Sequence, residues 1–132
     1  CYFLDDTGFI FDEAPVFSDG VYFVYASAPA IENPKGKPFL LPAEFQALLQ
    51  FIGNLSDFGI HPLTFKLNQD DFDLTFSRGA HLLWQRVANL SKVYSDLAAF
   101  LNNDAIKAQT DFLNHISELD LLTEYKVFYI FR

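Results

Sequence analysis

An α+β fold, a mostly antiparallel sheet with two helices packed on one face, is predicted by three observations in this 132-residue sequence. Between Leu63 and Gln85 apolar and polar residues largely alternate with the period of a half-buried strand. Two stretches, one opening at Pro42 and one at Leu90, repeat apolar residues at helical spacing. Short runs of Phe, Tyr, Val and Leu near both ends, bounded by turn residues, read as further strands. The length and the 51% hydrophobic content suit one domain with its own core, spanning residues 1–132.

Taken in order, Cys1–Leu4 and Phe9–Phe11 flank Asp5-Asp6-Thr7-Gly8 and predict a β-hairpin, because Asp and Gly tolerate chain reversal. A strand is expected at Val21–Tyr25. The segment Ala26–Pro38, with three prolines and a glycine, reads as a loop. Pro42 suits the first turn of a helix, where its missing N–H costs nothing. Phe45, Leu48, Leu49, Ile52 and Leu55 then share a face, and Gly59 ends the element before Pro62. Leu63, Phe65 and Leu67 alternate with Thr64, Lys66 and Asn68. After a turn at Gln69–Asp71, Phe72, Leu74 and Phe76 alternate with Asp73, Thr75 and Ser77. Arg78-Gly79 turns the chain into a third strand, Ala80–Gln85. Asn89 caps a second helix, Leu90–Leu101, whose stripe is Leu90, Val93, Tyr94, Leu97 and Leu101. Asn102-Asn103-Asp104 interrupts it, Ala105–Asn114 has weak helical spacing, and strands at Ile116–Leu121 and Tyr125–Phe131 close the chain.

Composition narrows function. Nine Lys+Arg against seventeen Asp+Glu give a net charge of −8, which opposes binding to nucleic acid or to an anionic bilayer. One Cys excludes an internal disulfide framework and a thiolate metal cluster. No apolar run approaches the roughly 18–20 residues of a membrane span. A first residue of Cys and the absence of Met predict a piece of a longer chain.

Catalytic signatures are missing: there is no Gly-rich phosphate loop, G-x-S-x-G or H-E-x-x-H. His61, His81 and His115 lack a metal-ligand spacing and read as loop or surface residues. Asp70-Asp71-x-Asp73 is acidic enough to suggest calcium, yet it lacks the glycine and distal Glu of a calcium loop and fits a hairpin tip. Asp5-Asp6 reads as a turn, and Asp12-Glu13 as solvated surface rather than a convergent acid–base pair. Cys1 has no defensible His–acid arrangement, and the two N-x-S matches at Asn54 and Asn89 fall at helices. No metal or cofactor is expected, and no enzymatic activity.

The last strand is different. Tyr125, Val127, Tyr129 and Phe131 occupy one face, Lys126, Phe128, Ile130 and Arg132 the other, so its middle is apolar on both sides. Such a strand is either central and covered on both faces or an edge that recruits another chain.

At these residues the sequence resembles the FtsQ/DivIB family of bacterial cell-division proteins. The ending Ile116-x-x-Leu119-Asp120-Leu121-x-x-x-x-Lys126-Val127-Phe128-Tyr129-x-Phe131 is similar to that family's I-D-L-R-aromatic strand, turn and K-V-Y-Y-x-F-like final strand. The opening Cys1–Phe11 resembles its strand–D-x-x-G–strand start, with Ala14-Pro15 following. The chain departs from the pattern at Leu122, where the family carries Arg, at Thr123, where it carries an aromatic, and at Glu124-Tyr125, where it has a Gly-Asn-like turn. The resemblance implies the extracytoplasmic β-domain of a single-pass membrane protein, with a transmembrane helix and a POTRA domain upstream. It implies a non-enzymatic divisome scaffold at the septum that binds FtsB/FtsL-like coiled-coil partners. The docking strand would be Tyr125, Lys126, Val127, Phe128, Tyr129, Ile130 and Phe131, with Tyr125 and Phe131 as anchors. The alternative is an extracytoplasmic domain that holds a small apolar ligand in a Phe-rich interior.

Overall fold

The computed structural model describes residues 2–15, 23–28, 30–76, 79–123 and 126–132. Cys1, the first two residues of the strand expected at Val21–Tyr25, Arg78, Glu124 and Tyr125 lie outside the described residues. The fold is α+β: a two-stranded hairpin and a six-stranded mixed sheet, with two main helices on one face.

The hairpin pairs β1 (Tyr2–Leu4) with β2 (Ile10–Glu13). Its turn is organised by Asp5, whose Oδ1 accepts from the Thr7 and Phe9 amides at 2.9 and 3.0 Å and from the Thr7 hydroxyl at 2.6 Å. These bonds, the Thr7 hydroxyl foremost, favour the charged carboxylate and hold Asp5 below the usual Asp pKa. The hairpin is tied to the rest of the chain through Ile10, which exchanges backbone bonds with Gly36 and Lys37, and through Gly8, whose carbonyl accepts from Phe39.

The large sheet runs β3 (Val24–Ala28), β4 (Pro62–Asn68), β5 (Asp71–Phe76), β6 (Ala80–Gln85), β7 (Ile116–Asp120), β8 (Phe128–Phe131), in sequence order. The meander β4–β5–β6 is antiparallel, as its period-two alternation implied, and so is β7–β8. The β3–β4 and β6–β7 pairs are parallel. A parallel neighbour needs a crossover, and the helices α1 (Pro42–Asn54) and α2 (Leu90–Leu101) supply both. The expected loop at Ala26–Pro38 starts later than its prolines suggested, because Ala26 and Ser27 remain paired with Lys66 and Leu67.

Helix boundaries follow local chemistry. Pro42 stands in the first turn of α1, a single 3₁₀ segment Leu55–Phe58 continues it, and Gly59 ends it in the left-handed conformation at φ 75°. The Asn89 side chain accepts from the Ser91 and Lys92 amides and caps α2. The weakly periodic segment after α2 forms only one short helix, α3 (Asp104–Lys107), and a 3₁₀ turn at Phe112–Asn114.

Register separates the two sheet faces. Tyr25, Phe65, Leu74, Leu82, Leu119 and Tyr129 line up across the six strands on the helix side. Phe45, Leu48 and Phe51 of α1 and Val93 and Leu97 of α2 are buried in the same core. Phe51, outside the stripe read from the sequence, is buried against Trp84 at a ring separation of 5.0 Å. Leu63, expected on the apolar face, is exposed because the β4–β5 register shifts there, leaving it between the paired residues Pro62 and Thr64. On the opposite face two rows cross the sheet. One is Ala26, Lys66, Asp73, Leu83, Asp120 and Phe128; the other is Val24, Thr64, Thr75, His81, Glu118 and Ile130. None of these is buried, and no described helix covers them.

Candidate functional site

β8 ends the sheet, and no described strand pairs with its outer side. Its four residues are large and apolar, yet Phe128, Tyr129, Ile130 and Phe131 remain 51, 38, 54 and 51% exposed. A central position covered on both faces is therefore not what this strand occupies.

The orientation of its backbone follows from three bonds to β7 and the residue before it. The Arg132 amide donates to the His115 carbonyl at 3.0 Å, and the Arg132 Nε to the Ile116 carbonyl at 3.0 Å. The Ser117 hydroxyl donates to the Ile130 carbonyl at 3.3 Å. Backbone groups of an antiparallel strand alternate in direction, so Ile130 and Arg132 face β7 while Tyr129 and Phe131 turn their N–H and C=O groups outward. Those outward groups are what an added strand would use.

The side chains divide between two surroundings. Tyr129 and Phe131 lie on the helix side in an aromatic group: Tyr129 is 5.3 Å from Phe112, 5.7 Å from Phe100 and 5.2 Å from Phe131, ring to ring. Phe128 and Ile130 project from the open face, opposite Asp120 and Glu118 of β7. Val127 is half-buried against the core and Lys126 is exposed. Tyr125, expected as an anchor, lies outside the described residues. Leu122, where the sequence departs from the pattern it resembles, is half-buried and donates its amide to Asp120 Oδ1 at 2.8 Å.

A pairing that local sequence patterns did not reveal stands on the open face. His81 Nδ1 is 2.8 Å from Asp73 Oδ1, with the Thr75 hydroxyl 3.5 Å away. The β5–β6 register places His81 opposite Thr75 and one step from Asp73, so the signal lay in the length of the intervening turn. An Asp beside an imidazole fixes its orientation, and the neighbour in register on β7 is Glu118, another carboxylate rather than a nucleophile. Of the acidic triplet, Asp70 uses its carbonyl to accept from the Arg86 amide, and Asp71 and Asp73 lie in β5. Among the described residues no three His, Cys, Asp or Glu side chains converge to hold a metal ion.

A second exposed apolar group, also unanticipated, lies on the hairpin at Tyr2, Phe3, Phe9 and Phe11, where the Phe3 and Phe11 rings stack at 6.1 Å. The Phe-rich interior is packed ring against ring, with Phe65 4.9 Å from Phe72 and 6.1 Å from Trp84. The apolar groove beside the hairpin, lined by Leu4, Ile10, Tyr25 and Phe39, is an open cavity of about 230 Å³. That is below the roughly 300–1,000 Å³ of ordinary small-molecule sites.

No helix among the described residues is long and apolar enough to cross a membrane. A scan against protein-family models and a search of curated proteins both return no match.

Proposed function

We propose that this chain is a non-enzymatic, FtsQ/DivIB-like scaffold domain of the bacterial divisome that binds a partner by strand addition to β8. The observation that carries the reading is the terminal strand itself, with an outward-facing backbone at Tyr129 and Phe131 and exposed apolar side chains on both faces. The resemblance at Ile116–Phe131 supplies the family, an FtsB/FtsL-like coiled-coil protein as the partner, and an extracytoplasmic location for a domain carried by a membrane-anchored parent. Each backbone bond gained nets about 0.5–1.5 kcal/mol, and a buried apolar anchor adds about 1.5–3 kcal/mol. Several such bonds and two anchors offset the ordering cost of the partner and give a regulated, reversible assembly. Lys126, two residues before β8, and Arg132, directly after it, add charges that favour acidic partner residues beyond the strand's two ends, giving register and salt dependence.

Val127→Pro tests this. Continued one residue back from Phe128, where β8 begins, the alternation turns the Val127 amide outward, so proline removes a donor that the added strand needs while the bonds to β7 stay. Losing the bond and stranding the partner's acceptor costs about 2 kcal/mol, roughly a thirtyfold loss of affinity for the soluble coiled-coil segment. Circular dichroism of the variant should match the parent. Unchanged binding with an intact fold would place the docking strand elsewhere. Tyr129→Lys is a poorer probe, since it also removes ring contacts with Phe100 and Phe112.

A further inference from the structure

Resting on the strand-addition reading, we infer that the segment docking on β8 carries long basic side chains, Lys or Arg, at the positions facing the open side of the sheet. An added strand continues the two cross-sheet rows by one member each. Its open-side residues fall next to Phe128 and Ile130, with Asp120 and Glu118 directly behind them on β7. The distance from the added strand to β7 is two strand spacings, about 10 Å. A short side chain cannot cross it. A Lys or Arg can, laying its methylene stem over Ile130 or Phe128 and placing its charge at the carboxylate beyond. The Phe128 ring adds a cation–π surface on the way.

The charges of that face favour a cation. Asp71, Asp73, Glu118 and Asp120 stand on it with Lys66 and His81. Lys126 and Arg132 share the face only beyond the two ends of β8, the Arg132 Nε being held by the Ile116 carbonyl, so the carboxylates lie behind Phe128 and Ile130 and the cations do not. Asp73 is engaged by His81. Lys66 lies on β4, three spacings from β7, opposite Asp73. Asp120 accepts one backbone amide, and neither Glu118 nor Asp120 has an ion-pair partner among the described residues. A neutral or acidic open-side residue would leave these carboxylates half-desolvated without compensation. The specificity of β8 is thus for a strand that is apolar toward Tyr129 and Phe131 and basic toward Glu118 and Asp120.

The test measures affinities of synthetic eight-residue peptides that alternate Val with Lys, Gln or Glu, on the wild-type chain, on Glu118→Gln/Asp120→Asn and on Val127→Pro. Asn at 120 retains the acceptor for the Leu122 amide. We expect the Lys peptide to bind at least tenfold tighter than the Gln peptide, and the Glu peptide weakest. The Lys preference should fall below threefold in the double variant, with Gln-peptide affinity unchanged. A Lys preference that persists in the double variant would assign it to the overall charge of −8 and overturn the inference. Equal binding of all three peptides, lost in Val127→Pro, would leave strand addition standing and remove the basic specificity. No binding by any peptide, or binding indifferent to Val127→Pro, would overturn the strand-addition reading and the inference with it.

Discussion

Gly8 is where one residue matters most to the hairpin. It has φ +85°, and a Cβ added there would lie 2.7 Å from Cγ of the buried Phe45 ring. Gly8→Ala combines a left-handed backbone penalty of about 1–2 kcal/mol with an overpacking cost of about 1–3 kcal/mol. Gly36 has φ +87° with nothing within 4 Å of the added Cβ, so Gly36→Ala should show the backbone penalty alone. Urea unfolding of the two variants checks this: a loss of about 2–5 kcal/mol for Gly8→Ala should exceed that of Gly36→Ala. Equal losses would mean that the hairpin does not press on α1. The turn residues Asp5-Asp6-Thr7-Gly8 announced the reversal in sequence, but the pressure on Phe45 did not, because it joins residues that only the fold brings together. Leu63 shows the same limit. Its place in an alternating run argued for burial, and a register shift, invisible to a period, turned it to solvent.

Elements were legible where their signals are local. Asn89 at the start of α2, Pro42 in α1, Gly59 at its end and the full extent of β6 follow from capping, ring constraint and alternation. Parallel pairing of β3 with β4 was not legible, since it depends on where a crossover helix returns the chain rather than on any residue in β3. The β1–β2 hairpin carries a pH dependence of known sign. The folded-state pKa of Asp5 is lowered, chiefly by the Thr7 hydroxyl, so its contribution is present above the unfolded Asp value and is lost as pH falls through the folded one. The stability gap between the parent and Asp5→Asn should therefore be constant near neutrality and narrow below about pH 4. Thermal melts across that range measure it, and a gap independent of pH would mean that the turn does not depend on the charge.

At the scale of the whole molecule, a single asymmetry organises the account. Among the described residues one sheet face is buried under both helices, the other has no helix over it, and β8 joins that open face to an edge with no strand paired to it. The sequence located this strand because it was apolar on both sides in its middle, but whether it was central or terminal depended on strand order, which no local pattern encodes. The acidic residues behind it, Glu118 and Asp120, became relevant only through the β7–β8 register. Partner binding should therefore be read at the backbone of β8. In amide hydrogen exchange of the free chain, Phe128 and Ile130, turned to β7, should be protected, and Tyr129 and Phe131, turned outward, should exchange fast. Saturation with the coiled-coil partner segment should slow Tyr129 and Phe131 by about a hundredfold or more, an opening cost of about 2.7 kcal/mol. Protection that appears instead on β3 or on the hairpin, with Tyr129 and Phe131 unchanged, would contradict docking at this edge.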